Sequence, residues 1–553
     1  MAFTIKVEIS FTVNLRIQFY PIMKYISRIL IFFSLFHGMT GHVYASPLRL
    51  NKEYSRVGWI VGLHSQRENW PAGSLDTSVP YKAWQLGITI DSSTLRGKPG
   101  FYRVARSSEG RWWLLEPNGK PIVYKGCNAV IRQEVGKAGE NMYYQWVEQT
   151  YGADHKKFID DAVNTLRKAG FNGFGGWSML FTPTRGHREI GLPFVEILTT
   201  RASAKDLLVS GNIDVFDEST WQRIDTMVAL STKGLSDNTN LLGYFCDNES
   251  VYGQPATDPA WTGKLSDLSA PLNAPTLLQV YLALPESRPG GAWAWKWILD
   301  RYQGSYEKLQ SAWGLTGMDR NEFRKQTNEK KLILTSDAYS ADHQAFTYTY
   351  VRRYYARMHE TIRRYDTNHL IMTTRCPSPP GMHVLREMNA CFQDGLIDVL
   401  AMNSYRSNLR ERIDEFYVHA PLPILIGEFN WASGHFLDWG KFLREEYFSK
   451  AEKEQVRRRG RQALEQAFTH PGLIGYTWFK WYSGREFTKD AYGLATDQPF
   501  GAIVNNQGKI NTFNFPLLRK INRRLEGIAT GRLEPYQAKG LTPVVETNVR
   551  RKE

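Results

Sequence analysis

The sequence predicts an α/β fold, a (β/α)8 TIM barrel, from three observations. Eight short apolar runs follow one another along the chain, and each is short enough for a buried strand. Helical periodicity fills most of the intervals, and strands that alternate with helices pair in parallel. A chain of 553 residues is long enough for a large barrel with insertions. The runs cover residues 122–125, 171–175, 194–198, 241–245, 370–373, 399–402, 424–426 and 473–478.

The intervals between the runs predict helices. Apolar residues at helical spacing over 158–166 form one stripe, which stops before Gly170, a residue suited to a left-handed helix end. A second stripe over 346–362 stops before Asp366 and the fifth run. A composition of 42% hydrophobic and 22% charged residues is typical of a globular protein, which excludes the disordered and fibrous classes.

The first 45 residues differ from the rest of the chain and have the pattern of an export signal. Lys24 and Arg28 form a basic start, residues 29–36 are apolar, and residues 43–45 are close to an A-x-A cleavage site. We therefore predict a signal peptide over about residues 23–45 and a secreted or periplasmic protein.

The remaining segments upstream and downstream are assigned by length and pattern. Residues 1–22 precede a complete signal and have no predicted role. The apolar stretch of the signal is far shorter than the roughly 20 residues that span a bilayer. No later segment is long and apolar enough, so we predict no transmembrane segment.

Three divisions are predicted in the rest of the chain. Residues 46–115 form a β-rich accessory segment and the start of a hairpin. Residues 46–110 have few helical stripes and several Gly, Pro and Ser breaks, and apolar stretches flank an Asn-Gly turn at 118–119. The barrel domain covers residues 116–535, and an insertion occupies about 251–345, since the interval after the fourth run exceeds an ordinary crossover. Residues 536–553 form a charged tail without fixed structure.

The formal net charge of +14 raises the question of an anionic partner. Nucleic acid, a membrane surface or an anionic polysaccharide would each be attracted. Arg457, Arg458, Arg459 and Arg461 lie in a helical pattern and are expected to form a solvated helix face. Because zinc-finger spacing, a basic region with heptads and an RNP-like strand are all missing from the sequence, we predict no nucleic-acid partner.

Four cysteines are too few for a disulfide framework in a chain of this length. Cys127 and Cys246 lie in apolar runs and are expected to be buried thiols, whereas Cys376 and Cys391 could pair in an oxidising compartment. The sequence has no CxxC and no HExxH motif. We therefore expect neither a metal nor an organic cofactor.

Two of the runs end in a glutamate, at the end where barrel enzymes carry their chemistry. The fourth run continues into Asn248-Glu249, and the seventh continues through Gly427 into Glu428. A single glutamate beyond a strand is commonly a plain loop carboxylate. Two that face one another over a barrel mouth are what retaining glycoside hydrolysis needs, because one protonates the leaving oxygen while the other attacks the anomeric carbon.

Several blocks around these positions resemble glycoside hydrolase clan A. Within the clan, they are similar to the family 50 β-agarases and, more distantly, to the family 42 β-galactosidases. The resemblance extends over roughly residues 110–530, and only the N-terminal region is shorter than the module of family 50. The blocks are residues 110–113, 126–128, 170–178, 242–249, 306–314 and 475–479.

The resemblance implies a role for each strand-end residue. Glu249 would be the acid/base, Glu428 the nucleophile, and Asn248 would bind the sugar 2-hydroxyl beside the nucleophile. Tyr405, after the sixth strand, would hydrogen-bond Glu428, or else be a rim tyrosine. Asn128, after the first strand, would donate to a sugar hydroxyl or merely cap its loop.

Tryptophans supply the expected sugar platforms, although each could instead belong to the core. Trp478 at the eighth strand is the main candidate, and Trp177, Trp431 and Trp481 are weaker ones. Together with the glutamates they predict a secreted retaining hydrolase of a β-linked polysaccharide, most simply a galactose-containing one. The positive net charge is compatible with an anionic polymer.

Other functions stay open at this stage. Clan A uses the same pair of glutamates for many sugars, so a β-glucanase, a β-mannanase or a β-galactosidase is the alternative enzyme. A catalytically inactive, carbohydrate-binding barrel and a basic protein that binds polyanions are the alternatives from other classes. The sequence leaves open the oligomeric state and whether cleavage is internal or from a chain end.

Overall fold

The computed structural model describes residues 87–132, 142–178, 192–250, 252, 275–377, 380–431, 436, 450–482, 501–505, 507–511 and 514–541. The predicted signal peptide over 23–45, the accessory segment up to residue 86 and the end of the charged tail lie outside these residues. No helix in the described ranges combines the length and the apolar character that a membrane crossing requires.

A small antiparallel sheet precedes the barrel. Its strands are β1 (Arg103–Arg106), β2 (Trp112–Leu115) and β3 (Pro121–Ile122). Leu114 in the central strand pairs with both Val104 and Ile122. The predicted Asn-Gly turn joins β2 to β3, and Gly119 has a φ of 90° that favours glycine. The first apolar run is therefore divided, because Ile122 belongs to this hairpin.

Eight parallel strands form the barrel, and each overlaps one predicted run. The strands are β4 (Tyr124–Cys127), β5 (Gly173–Phe174), β6 (Phe194–Ile197), β7 (Leu241–Phe245), β8 (Leu370–Met372), β9 (Leu400–Asn403), β10 (Ile424–Phe429) and β11 (Leu473–Trp478). Their order is β8-β7-β6-β5-β4-β11-β10-β9. Parallel bridges from Met372 to Val399 and from Cys376 to Met402 join β8 to β9. The prediction of a TIM barrel is confirmed.

Helices alternate with these strands. They are α1 (Met142–Tyr151), α2 (His155–Lys168), α3 (Thr200–Ser203), α4 (Glu218–Thr232), α5 (Leu277–Leu282), α6 (Pro289–Arg301), α7 (Tyr306–Trp313), α8 (Arg320–Asn328), α9 (Asp337–Tyr365), α10 (Met382–Gln393), α11 (Leu409–Tyr417), α12 (Lys450–Ala467), α13 (Phe515–Asn522) and α14 (Leu525–Ala529). In α2 the predicted stripe is the buried face, and Gly170 follows with a φ of 79°. In α9 the second predicted stripe is buried in the same way.

The insertion after the fourth barrel strand consists of α5 to α8 and the start of α9. One buried carboxylate joins these helices: Asp342 of α9 accepts hydrogen bonds from Arg301 at 2.7 Å, Tyr302 at 2.6 Å and Trp313 at 2.9 Å. The loop before α4 fixes the insertion to the barrel, since the Ile213 carbonyl accepts from tyrosines of both α5 and α9.

Asp214, in the same loop, provides a pH-dependent test of this packing. Burial raises the pKa of Asp214 from 3.8 to about 6, and Arg288, at 3.9 Å, offsets this only in part. A pKa that is higher in the folded state means that stability is lost as pH rises through about 6. We expect Asp214→Asn to gain stability over the wild type between about pH 4 and pH 7, reaching about 3 kcal/mol, in urea unfolding. A difference that does not change with pH would contradict this.

The C-terminal tail begins as an ordered segment against α12. Arg458 donates to the Tyr536 hydroxyl at 3.3 Å and to the Lys539 carbonyl, and the Arg461 guanidinium lies 4.1 Å from the Tyr536 ring centroid. Arg459 is buried and donates to the Phe436 carbonyl. The prediction of a solvated arginine face was therefore wrong for these three residues, and residues 536–541 are not an unstructured tail.

Glu465 holds this segment in place. Its fully buried carboxylate accepts from Arg461 at 2.7 Å, from Arg524 at 3.2 Å and from the Tyr536 amide at 2.9 Å. We expect Glu465→Ala to cost about 3 kcal/mol in urea unfolding, because it leaves two cations without their counter-ion. Glu454→Ala, which removes an exposed partner of Arg457 on the same helix, should cost less than about 1 kcal/mol. Equal losses would show that Glu465 is no more than a surface partner.

The four cysteines are free and buried. Cys376 donates to the Thr374 carbonyl at the end of β8, whereas Cys391 lies on the buried face of α10. The possible pairing of Cys376 with Cys391 is therefore not formed, because each thiol packs within its own element.

Candidate active site

The chain beyond β7 is fixed by one buried carboxylate. Asp247 accepts hydrogen bonds from the Asn248 amide and the Arg201 amide, both at 2.7 Å, and from the Thr200 hydroxyl. Burial raises the pKa of Asp247, and the Arg201 guanidinium opposes the shift. Arg201 also donates to the Asn248 carbonyl. Asp247 and Arg201 therefore hold both backbone ends of Asn248.

Glu249 follows in a left-handed conformation. Its φ is 52°, and its amide donates to the Arg375 carbonyl at 3.1 Å. Glycine is favoured at such a φ, and a glutamate there costs of order 1 kcal/mol, which the surrounding hydrogen bonds must offset. Backbone strain of this kind concentrates at functional sites. The side chains of Asn248 and Glu249 are half-buried, so both remain accessible from the barrel mouth.

Glu428 is nearly buried, and three side chains contact its carboxylate. Trp177 donates its indole N–H to Oε1 at 3.1 Å, and the Arg375 Nη2 lies 2.9 Å from the same oxygen. Tyr405 donates its hydroxyl to Oε2 at 2.5 Å, so the expected hydrogen bond is present. Burial, together with the Glu428 charge, raises the pKa of Tyr405 well above its usual value. Tyr405 is therefore a protonated donor to this carboxylate.

The Glu249 segment is held by Asn403 at the end of β9. The Asn403 side-chain amide donates to Glu249 Oε1 at 3.1 Å and to Asn248 Oδ1 at 3.2 Å. Both glutamates also act electrostatically on Tyr405. The carboxyl ends of β7, β9 and β10 thus bring an acid, an amide and a second carboxylate into one site.

Asn128 and the predicted tryptophan platforms occupy different surroundings. Asn128 is fully buried and donates its side-chain amide to Thr477 at 2.9 Å and to the Gly427 carbonyl at 3.1 Å, which ties β4 to β10 and β11. Trp478 and Trp431 are also fully buried, with ring centroids 4.4 Å apart.

Trp177 is the predicted platform that reaches solvent. The residue is 40% exposed, whereas Trp481 is buried and donates to the Tyr143 hydroxyl at 2.9 Å. The indole N–H of Trp478 is used by the Gly501 carbonyl. Of these four tryptophans, Trp177 alone combines an exposed ring with a hydrogen bond to a strand-end glutamate. A stacking role for the buried tryptophans stays a prediction.

Sequence reasoning missed Arg375, Asn403, Asp247 and Arg201. Arg375 and Asn403 have the same position as the two glutamates, at or just beyond a strand end, and this signal could have found them. Arg201 lies on a helix of four residues that no periodicity reveals. Within the described ranges, no cluster of His, Cys, Asp or Glu is suited to hold a metal ion.

The chain is a TIM barrel with two glutamates at the carboxyl ends of its strands, the end at which enzymes of this fold carry their chemistry. Solved structures share this fold. An exo-β-agarase superposes with a TM-score of 0.61 at 16% identity, over 90% of this chain and 72% of that chain. A second agarase gives 0.58 at 15% identity, over 90% and 72% of the two chains. PfGH50B gives 0.59 at 14% identity, over 89% and 73%.

At these identities the likeness establishes the fold. It confirms, at that level, the resemblance to the family 50 β-agarases. Comparison of the sequence with protein-family models and with curated proteins gave no match.

Proposed function

We propose that the protein is a secreted retaining glycoside hydrolase that cleaves β-glycosidic bonds in a polysaccharide by double displacement. The observation that carries this proposal is the network around two strand-end glutamates. Asn403 donates to Glu249, and Tyr405 and Trp177 donate to Glu428. Both carboxylates act electrostatically on Tyr405 and on the buried Arg375. A bare pair of loop carboxylates would not need such a network. Secretion rests on the export pattern of residues 23–45.

In the first displacement, Glu428 attacks the anomeric carbon and Glu249 gives its proton to the departing glycosidic oxygen. The carbon–oxygen bond to the leaving sugar breaks as the ester bond to Glu428 forms. Tyr405 and Trp177 orient the attacking carboxylate, since each donates to a different oxygen of it. Asn248 precedes Glu249, and we assign to it the binding of the sugar 2-hydroxyl, as the sequence resemblance implies.

In the second displacement, the Glu249 carboxylate takes a proton from water, and the water oxygen attacks the anomeric carbon. The ester bond breaks and Glu428 leaves as a carboxylate, so the enzyme returns to its starting state. The product keeps the β configuration, because two inversions at one carbon cancel.

A galactose-containing, agar-like polymer is the favoured substrate. The support is the sequence resemblance to family 50, together with the shared fold of two proteins described as agarases. Trp177, a 40% exposed residue that donates to Glu428, is the aromatic side chain on which a sugar can stack.

The proposal is tested by product release from a panel of agarose, porphyran, carrageenan, galactan, mannan and β-glucan, read by mass spectrometry and thin-layer chromatography. The control is the double variant Glu249→Gln/Glu428→Gln, expressed and purified in the same way. We expect short oligosaccharides from agarose or another galactan with the wild type alone. Release of products from β-glucan or mannan would show that the substrate is that polymer and not a galactan. Binding without release would indicate a catalytically inactive, carbohydrate-binding barrel.

A further inference from the structure

Arg375 is a fully buried arginine in the candidate active site. It follows β8, its Nη2 lies 2.9 Å from Glu428 Oε1, and its Nη1 donates to the Gly427 carbonyl at 3.1 Å. Burial lowers the pKa of Arg375, and the Glu428 charge opposes this shift. A buried cation needs a counter-charge, and Glu428 supplies it.

Two glycines make room for this side chain. A Cβ at Gly427 would lie 2.4 Å from Arg375 Cδ, and one at Gly176 would lie 3.1 Å from its Nη1. The guanidinium lies 5.3 Å from the Trp177 ring centroid and 5.5 Å from that of Phe245. Residues of three other barrel strands, β5, β7 and β10, or of the segments that follow them therefore accommodate this one side chain, which is more than an incidental ion pair requires.

Arg375 is adjacent to the acid/base segment as well as to the nucleophile. Asn248 and Arg375 form a parallel bridge, and the Glu249 amide donates to the Arg375 carbonyl at 3.1 Å. The charged and titratable groups that act on the Arg375 guanidinium are Glu428, Tyr405, Glu249 and Asp247. Both proposed catalytic carboxylates therefore act on one buried cation.

Arg375 and Glu428 form an ion pair, but the N–H groups of the guanidinium are not aligned for a hydrogen bond to the carboxylate. Within the described part of the chain, Nε and Nη2 of Arg375 have no aligned hydrogen-bond acceptor. These donors are therefore not committed to Glu428 by geometry. If the negative charge passes from Glu428 to Glu249, Nε and Nη2 of Arg375 are therefore available to interact with it.

We infer that Arg375 is a positioning residue that serves as counter-ion to Glu428 in the free enzyme and to Glu249 in the glycosyl-enzyme. This inference rests on the proposed function. The double displacement proposed above requires a charged Glu428 and a proton on Glu249 before the first step. Once Glu428 is an ester, the charge is on Glu249, so Arg375 balances one carboxylate in either state.

A stability cycle tests the exchange without any substrate. Glu428→Gln makes the nucleophile neutral, as in the ester, and should transfer the pairing of Arg375 to Glu249. We measure urea midpoints at pH 7 for Arg375→Met, Glu249→Gln and their combination, once in the wild type and once in Glu428→Gln. The coupling between Arg375 and Glu249 should be larger in the Glu428→Gln background. Equal coupling in both backgrounds would overturn the inference.

Two further variants keep the cycle interpretable. Arg375→Lys preserves the charge, so its urea midpoint should lie closer to that of the wild type than the midpoint of Arg375→Met. It replaces Arg375→Met in the cycle if that variant fails to fold. Arg111 is also buried, but it donates to the His470 and Leu473 carbonyls and contacts neither glutamate. Arg111→Met should therefore lower the midpoint equally in both backgrounds.

A kinetic readout separates positioning from simple stabilisation. On the panel polymer that the wild type cleaves, Arg375→Met should move the acid limb of kcat/KM to higher pH by about one unit, because the Glu428 carboxylate loses its cation. Arg375→Lys should restore most of the shift. Cleavage by the wild type with an unmoved acid limb would refute the inference alone, whereas cleavage of no polymer would refute the proposed function and leave the stability cycle to decide this one.

Discussion

Replacing Glu428 with glutamine is expected to lower kcat/KM on the cleaved polymer by about 10⁴-fold or more. Glutamine keeps the volume of the side chain and can accept from Tyr405, yet an amide oxygen does not form the glycosyl ester. The loss therefore reports chemistry rather than folding. Initial rates of reducing-end formation measure it, and circular dichroism confirms that the variant is folded.

The matched control is Glu360→Gln. Its side chain is exposed, and it pairs with Arg357 on the outer face of α9. This change should leave the rate within about twofold of the wild type, since exposed pairs contribute little. If Glu428→Gln retained more than a small fraction of activity, the nucleophile would have to be another residue.

Replacing Glu249 with glutamine should have an effect that depends on the leaving group. General acid catalysis contributes about 10²–10⁴-fold where the departing oxygen is basic, as in a polysaccharide. In a 4-nitrophenyl glycoside of the same sugar, the 4-nitrophenolate group leaves without a proton. The first displacement on this substrate should therefore be slowed far less. Values of kcat/KM on both substrates measure the difference, because kcat/KM reports the first displacement and is not affected by the later step in which Glu249 acts as the base.

The ratio between the two substrates is the informative quantity. If Glu249→Gln lowered kcat/KM equally for the polymer and the 4-nitrophenyl glycoside, Glu249 would act on binding or structure and not as the acid. Asn248 and Asn403 are the residues through which a structural effect would spread, because Asn403 joins Asn248 to Glu249.

The strand pattern was predictable because barrel strands are short, fully apolar and separated by helical stripes. Every predicted run overlaps a barrel strand, and β7 and β11 match their runs at both ends. The first run was misplaced because Ile122 pairs with Leu114 in the hairpin. An apolar residue shows that it is buried, but not which strand it will pair with.

The site was predictable as far as the two glutamates and Tyr405, which lie at strand ends in the sequence itself. The role of the buried Arg375 was not predictable, because its position depends on glycines and aromatic rings of other strands. Trp478 was placed first among the platforms, yet its ring packs on Trp431 in the core. Aromatic residues serve both purposes, and only tertiary packing separates them.

The arginine run over 457–461 was also misjudged from the sequence, because its environment depends on tertiary packing. A helical pattern of charges is typical of a solvated face, but Arg458 and Arg461 contact Tyr536. This contact is made by a tyrosine some 75 residues later in the chain, and no local sequence pattern predicts its position. Glu465 completes it from within α12.

Hydrolysis is expected to proceed by double displacement through Glu428 and Glu249. Proton NMR of the earliest products from the cleaved polymer distinguishes this course from a single displacement, because it observes the configuration of the new reducing end before it equilibrates. The β-anomer should form first. Initial appearance of the α-anomer would contradict it, since that outcome requires a single displacement by water.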